Sequence, residues 1–215
     1  MNRTVCGLSE AFAKTTAWQG PSAAAWSVGT WSNGRPESGD TVVLADIDGV
    51  NDLDLTDISL QFVGTAGCSL TGNAIALAGG ESAVVVSGTG VYVVGVPLAL
   101  AEGDNGVSVA AQATIRFAGV LSGAGRLVLK GTNESGLKNY DLYSGAASWP
   151  SVVELTAANE YEGGTYAEKV AVVVANAKAF GRQWSTVEYK RYGWIKFTCG
   201  GDVDYHFYPN TGTFW

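Results

Sequence analysis

The feature that most constrains this chain is an alternation of apolar and polar residues that glycine interrupts every few positions. It is clearest from Ala113 to Gly131, where Ile115 and Phe117 precede a glycine-rich corner and Leu127 and Leu129 follow it. Successive side chains of a strand point to opposite faces, so each pair can face one core. Because glycine tolerates the backbone angles of a sharp corner, the stretch predicts two short strands around one.

The same alternation returns along most of the chain, and no segment of useful length has the period of a helix. Short strands separated by turn residues are typical of all-β proteins. The apolar sets that we expect on the inward faces of strands are Val42/Leu44, Leu53/Leu55, Ile58/Leu60/Phe62, Ile75/Leu77, Val84/Val86, Val91/Val93, Leu98/Leu100, Val107/Val109, Ile115/Phe117, Leu127/Leu129 and Val170/Val172/Val174.

The offsets between these sets indicate how the strands are arranged. They are 23 positions for Ile75–Leu98 and for Val84–Val107, 22 for Val93–Ile115 and 20 for Val107–Leu127. A period of about 20 residues is typical of solenoids, in which each coil stacks on the previous one. We therefore predict a right-handed parallel β-helix, with a β-sandwich as the alternative.

Composition divides the chain into three parts. Residues 1–25 are weakly patterned and form an N-terminal segment, and residues 26–183 carry the alternation of the β-helix. Residues 184–215 are rich in aromatic side chains. Since an open solenoid end exposes unpaired strand edges, we predict that this last part is an aromatic β cap.

Charge and hydropathy narrow the partners. The 215 residues are 47% hydrophobic and 15% charged, with a net charge of −7, which argues against nucleic acid and anionic membranes as partners. No apolar run is long enough to insert into a membrane.

The first residues do not resemble a signal peptide, so either the protein is intracellular or an export signal was removed. Cys6, Cys68 and Cys199 lie far apart and predict buried thiols.

One stretch, Leu155 to Gly181, resembles the autotransporter-associated β-strand repeat of bacterial surface proteins. The matching residues are Asn159, Tyr161, Gly163, Gly164 and Thr165, with Phe180-Gly181 at the end. Two upstream segments are similar to the same family, Leu121–Leu127 and the tryptophan pair Trp26 and Trp31 followed by Gly39-Asp40-Thr41. The chain has only one full copy of the repeat, and its aromatic C-terminal part departs from the family.

The resemblance implies a parallel β-helix that is secreted or displayed on bacterial cells, and a family in which catalysis is mostly unknown. It therefore implies an extracellular or cell-surface location, reached with an export signal that this chain does not contain.

An acidic stretch, from Asp46 to Asp54, offers the oxygen ligands that calcium requires, and Asp46, Asp48 and Asp52 are the candidate ligands. The spacing departs from that of an EF-hand, because Gly49 lies too early and no helices flank the segment. The alternative is a solvated turn between two strands. No cofactor is therefore expected, with calcium as the one possibility.

Catalytic residues are few. His206 is the single histidine, and no nucleophile motif is present. Asp202 and Asp204 have same-face spacing, as do Asp52 and Asp54, but such pairs are common on strands. We predict that the protein is not an enzyme.

The aromatic residues near the C-terminus could instead form a platform for sugars. The candidates are Trp184, Tyr192, Trp194 and Tyr205, and the alternative is that these large side chains fill the interior of the cap. The sequence thus predicts a non-catalytic structural or adhesive module of a bacterial secreted or surface protein, whose partners would be glycans or proteins outside the cell. A glycan-binding module is the alternative, and a polysaccharide-cleaving enzyme is a weaker one.

Overall fold

The computed structural model describes residues 13–132, 151–182, 186–190, 194–198, 203–206 and 212–214. These residues contain strands and no helix, and the strands stack as a β-solenoid of about seven turns. Each complete turn passes through up to three sheets that run along the stack. The segment from Thr132 to Trp149, which interrupts the sequence pattern, lies almost entirely outside the described residues.

Two long sheets carry most of the strands. The first sheet contains β1 (Thr15–Ala17), β3 (Thr41–Ala45), the second half of β5 (Leu55–Val63), β8 (Gly80–Val86), β11 (Asp104–Val109), β14 (Arg126–Gly131), β16 (Thr165–Glu168), β18 (Val187–Lys190) and β21 (Gly212–Phe214). The second contains β2 (Ala24–Ala25), β4 (Gly49–Asn51), β6 (Ser69–Gly72), β9 (Val91–Val94), β12 (Thr114–Phe117), β15 (Val152–Leu155), β17 (Ala171–Val174), β19 (Trp194–Phe197) and β20 (Val203–His206).

A third, shorter sheet closes the coil. It contains the first half of β5, β7 (Ile75–Leu77), β10 (Leu98–Leu100) and β13 (Leu121–Gly123). Beyond β13 two loops take its place, at residues 156–164 and 175–182. The first of these loops stacks on β13, because the amides of Glu160 and Glu162 donate to the carbonyls of Leu121 and Gly123.

The strand pairing confirms the parallel β-helix and makes the β-sandwich wrong, since every pair among β1 to β19 is parallel. The predicted offsets Ile75–Leu98 and Val84–Val107 match the observed register. The offset Val107–Leu127 was wrong by two positions, because Val107 pairs with Leu129. The inward face was still predicted correctly, because side chains alternate with a period of two and a shift of two positions leaves the same set facing inward. The right-handed sense of the coil stays a prediction.

The apolar residues predicted to face inward form the core, except at β9 and at Leu53, which is partly buried and packs against the core. In β9, Tyr92 and Val94 are buried, whereas Val91 is 51% exposed and Ile115 pairs with Tyr92 instead of Val93. The Tyr92 ring packs against Phe62 with centroids 5.6 Å apart, and its hydroxyl donates to the carbonyl of Gly64 at 2.8 Å. All four residues of β9 are apolar or aromatic, so the pattern could not show which pair faces inward.

Tryptophans fill the first coil. Trp18, Trp26 and Trp31 are buried, with ring centroids 5.0 Å apart for Trp18 and Trp31 and 5.3 Å apart for Trp26 and Trp31. Trp31 donates to the carbonyl of Trp26, and Trp18 to that of Asp48. Because β1 and β2 pair with the next coil, the stack begins before residue 26, where the sequence predicted its start.

The stack also continues past residue 183. Strands β18 and β19 pair in parallel with β16 and β17, and they complete one more coil inside the segment predicted as a cap. Only β20 and β21 reverse direction, and each pairs antiparallel with the exposed edge of β19 or β18. The reversed strands therefore occupy the positions that a further coil would take.

Candidate functional site

The aromatic residues predicted to bind glycans lie in the C-terminal segment. Trp184 and Tyr192 lie outside the described residues. In the backbone register, Trp194 of β19 lies between Ala171 and His206, and Tyr205 of β20 lies opposite Ile195. The register thus places two of the four candidates on neighbouring strands of the second sheet, and glycan binding by these residues stays a prediction.

The acidic stretch covers the corner between β3 and β4, the strand β4 and the corner that follows it, and its first carboxylate binds the backbone of the next coil. Asp46 accepts hydrogen bonds from the amides of Thr65, Ala66 and Gly67 at 3.1, 3.0 and 2.9 Å. These bonds, led by that from Thr65, lower the pKa of Asp46 below its ordinary value, since they stabilise the ionised form. The ligands of the Asp46 carboxylate are therefore backbone amides of the protein itself, and we call these three amides the amide cradle.

The other two candidate calcium ligands are occupied in the same way. Asp48 accepts bonds from the amide and hydroxyl of Ser69 at 2.7 and 2.9 Å and from the hydroxyl of Ser22. Asp52 accepts bonds from the amide and hydroxyl of Ser27. The bonds from Ser69 lower the pKa of Asp48, and those from Ser27 lower the pKa of Asp52. Each carboxylate joins the second coil to a neighbouring one.

The arrangement does not gather these carboxylates around one point. In the part of the chain that the structure describes, no group of three or more histidine, cysteine, aspartate or glutamate side chains could hold a metal ion. Asp46 and Asp48 bind donors in the third coil, and Asp52 binds a donor in the first. The geometry favours the alternative interpretation, a turn between strands, with the carboxylates bound to neighbouring coils.

The residues that resemble the autotransporter-associated repeat hold coils together. Asn159 is buried, accepts a bond from the amide of Leu121 at 2.9 Å and donates to the carbonyl of Ala179 at 2.6 Å. Asn159 thereby joins the coil that contains Leu121 to the coil that contains Ala179. Tyr161 is fully buried, and its hydroxyl lies 2.5 Å from that of Thr165. Burial raises the pKa of Tyr161 above its ordinary value.

Two further asparagine side chains are hydrogen-bonded near corners, although the sequence pattern did not single them out. Asn51 donates to the carbonyl of Asn73 and accepts a bond from the amide of Leu53. Asn105 accepts a bond from the amide of Ala101 and donates to the carbonyl of the same residue. Both side chains are fully buried. The signal that could have indicated one of them is Asn105-Gly106, because asparagine before glycine is typical of a hydrogen-bonded corner.

A cleft of about 570 Å³ opens beside Asn159, between the two loops that replace the third sheet. Glu160, Lys178 and Arg182 line it together with small alanine side chains. Arg182 also pairs with Glu162 at 2.6 Å on the surface. The volume suits a small ligand, but the lining carries charges of both signs and therefore does not indicate one class of ligand.

A second candidate lies on the outer face of the first sheet, and we call Asp104, Arg126, Tyr166, Glu168 and Glu188 the first-sheet patch. Arg126 donates two parallel hydrogen bonds to Asp104, at 2.8 and 2.9 Å. Its guanidinium carbon lies 5.8 Å from the centroid of the Tyr166 ring. The Tyr166 hydroxyl donates to Glu168 at 3.0 Å. The bonds from Arg126 lower the pKa of Asp104, and those bonds together with the charge of Asp104 raise the pKa of Arg126.

The register also places the residues considered for catalysis. His206 lies opposite Trp194, and Asp204 lies opposite Lys196. Asp202 lies outside the described residues. Asp52 is bound to Ser27, as described above. Among the described residues, no helix is long and apolar enough to cross a membrane.

Comparisons of this chain with protein-family models, with curated proteins and with solved structures find no match. The resemblance to the autotransporter-associated repeat therefore rests on the residues quoted above.

Proposed function

We propose that the protein is a non-catalytic structural or adhesive module of a bacterial secreted or surface protein. The single observation that supports the proposal is that the polar residues in the most distinctive motifs of the chain form hydrogen bonds within the stack. Asn159, Tyr161 and Thr165 of the repeat-like stretch, and Asp46 and Asp48 of the acidic stretch, are engaged in bonds within or between coils. Such residues serve to build a long, regular stack.

A long stack suits a stalk or an adhesive surface for a physical reason. Each coil of a solenoid contacts only its neighbours, so the fold extends in one direction and presents the same kind of outward position at every step. A partner outside the cell, either a glycan or a protein, could contact several coils at once. The proposed location is extracellular or on the bacterial surface.

Glycan binding is the second candidate function. The observation that favours it is the guanidinium of Arg126 above the ring of Tyr166 on an outward sheet face. Aromatic rings and planar polar groups together suit sugars, which present both C–H faces and hydroxyls. The C-terminal residues Trp184, Tyr192, Trp194 and Tyr205 stay candidates for the same activity.

Two measurements on the purified chain and one on intact cells test the proposal. We expect adhesion to surfaces coated with glycans or extracellular proteins, and no release of reducing ends from polysaccharides. Sustained release of reducing ends by protein purified through two orthogonal columns would contradict the non-catalytic proposal. Protease treatment of intact cells of the source organism should remove the protein, whereas full protection until lysis would contradict the surface location.

A further inference from the structure

We propose that the first-sheet patch is a binding platform for a neutral polysaccharide, with Tyr166 as its stacking residue and the Asp104–Arg126 pair as its hydrogen-bonding group. The inference rests on the proposed adhesive function and adds a site and a ligand class to it. It concerns residues that the sequence pattern did not single out as a site.

Tyr166 is the aromatic residue of the patch that is partly exposed. Of the tyrosines and tryptophans whose burial the structure describes, Tyr166 is half-buried on an outward sheet face, and the others are buried in the core. Because Arg126 lies over one face of this partly exposed ring, the other face or the edge of the ring can contact the C–H face of a sugar.

Hydrogen bonds hold the polar groups beside the ring in fixed positions. Arg126 is held by two hydrogen bonds to Asp104 and lies over Tyr166, while the Tyr166 hydroxyl is held by Glu168. A planar guanidinium and a carboxylate fixed in this way can each bond to neighbouring hydroxyls of a sugar. Because the side chains are already ordered, binding costs less conformational entropy.

The patch extends along the stack over several coils. Asp104 pairs with Arg126, and Tyr166 pairs with Val128 on one side and with Glu188 on the other. The patch therefore spans the four adjacent strands β11, β14, β16 and β18. At about 4.8 Å between strands it is roughly 14 Å long, which is long enough for several sugar units laid along the stack. We accordingly expect oligosaccharides to bind more tightly than single sugars.

The charges of the patch and of the whole chain favour a neutral ligand. Within the patch Arg126 is positive, and Asp104, Glu168 and Glu188 are carboxylates. Lys130 on β14 adds a positive charge beside it and contacts Glu81 at 3.9 Å. The whole chain carries a net charge of −7, so a polyanion would be repelled both locally and at long range.

The test measures the affinity of the full chain for polysaccharides by affinity electrophoresis and for their oligosaccharides by calorimetry. The neutral probes are xylan, galactomannan, mixed-linkage glucan and starch, and the acidic probes are polygalacturonate and alginate. We expect one or more neutral probes to bind, and binding to weaken by about tenfold in Tyr166→Ala and less in Tyr166→Phe, which keeps the ring. Arg126→Gln should weaken binding by about as much as Tyr166→Ala.

A matched control lies on the other long sheet. Arg116 makes a cross-coil ion pair with Glu154 at 2.5 Å, and the Arg116 side chain is exposed to nearly the same degree as that of Arg126. Arg116→Gln should therefore reproduce any general effect of losing an ion pair and leave the affinity unchanged. Melting temperatures of all variants identify any loss of binding that arises from unfolding.

The outcomes separate this inference from the proposed function. If Tyr166→Ala binds like the wild type while Trp194→Ala or Arg182→Gln loses binding, the adhesive function stands and the site is wrong. Binding to acidic probes alone would overturn the ligand class. If no polysaccharide binds but the chain adheres to protein-coated surfaces, the inference fails and the proposed function stands. Failure to adhere to any of these surfaces would overturn both.

Discussion

The carboxylate of Asp46 occupies the space into which a Cβ atom at Gly64 would project. Gly64 itself has a φ angle of +102°, in the region that residues with side chains rarely adopt. The acidic corner of one coil and the glycine corner of the next coil are thus complementary in shape. The same carboxylate binds the three amides that follow Gly64, so shape and hydrogen bonding act together.

Gly64→Ala should therefore destabilise the chain by about 1–3 kcal/mol, because both backbone strain and collision with Asp46 oppose the methyl group. The control is Gly80→Ala, since Gly80 also has a positive φ angle of 78° but nothing lies within 4 Å of its Cβ position. Urea unfolding measures both variants. Equal losses for the two would show that the contact with Asp46 contributes nothing.

Acid should weaken the first coils. Hydrogen bonds lower the pKa values of Asp46, Asp48 and Asp52 in the folded protein, so these groups stabilise the fold above the ordinary aspartate value of about 3.9. Their contribution is lost as the pH falls through the lowered folded values. The urea midpoint should accordingly stay level above about pH 5 and decrease steadily below it.

Asp46→Asn should be less stable than the wild type at pH 7 and should show a shallower decrease in acid. Asp54→Asn is the matched control in the same acidic stretch, because Asp54 is exposed. An Asp46→Asn profile parallel to that of the wild type would show that the amide cradle does not make stability depend on pH.

Asn159 should contribute more to stability than its neighbour Asn176. The side chain of Asn159 is 3% exposed and bonds to two other segments, so Asn159→Ala leaves buried backbone groups unpaired. The expected loss is about 1–3 kcal/mol. Asn176 only accepts a bond from the amide of Lys178 in its own loop, and Asn176→Ala should cost less than about 1 kcal/mol. Thermal unfolding of the two variants checks the order, and a larger loss for Asn176→Ala would refute it.

Cys68 should react slowly while the chain is folded. It is buried, and burial together with the charges of Asp48 and Asp46 raises the pKa of its thiol to about 12. Thiolate, the reactive form, is therefore scarce at neutral pH. In a Cys6→Ser, Cys199→Ser background, a thiol reagent should modify Cys68 only after denaturant is added. Rapid modification of the folded variant would show that the β5–β6 corner opens readily.

The strands that reverse direction should protect the end of the stack. Strands β20 and β21 pair with the last parallel strands, whose edges would otherwise offer unpaired N–H and C=O groups. Deletion of residues 199–215 should cause association that increases with concentration, while circular dichroism still shows the upstream strands. Light scattering on the truncated and full chains checks this. Identical mass and melting temperature for both would mean that these strands are not a cap.

The register of single strands was harder to predict than the stack. In β11 only one alternate set of positions, Val107 and Val109, is strongly apolar, and its offset of 23 residues from β8 was correct. In β9 both sets are apolar, so the choice depended on the space beside Phe62 and on the carbonyl that receives the Tyr92 hydroxyl. Those partners lie about 30 residues away in the chain, beyond the reach of any local pattern.

The candidate sites show the same division. Local sequence marked Asp46, Asp48 and Asp52 as a dense group of oxygens, but the coils point each carboxylate toward different amides. Conversely, Asp104, Arg126 and Tyr166 are far apart in sequence and no pattern indicated them as a site, yet consecutive coils place them side by side.

The sequence by itself determined the all-β class and the parallel coil, because a two-residue alternation that repeats at nearly constant spacing has few ways to bury its apolar faces. Only the tertiary structure decided where each coil begins, that β18 and β19 extend the stack, and which polar groups meet across coils. The physical reason is that such meetings depend on the register between consecutive coils, which is set by the lengths of the corners between the paired strands. A change of one residue at one corner would change which outward side chains meet across that pair of coils.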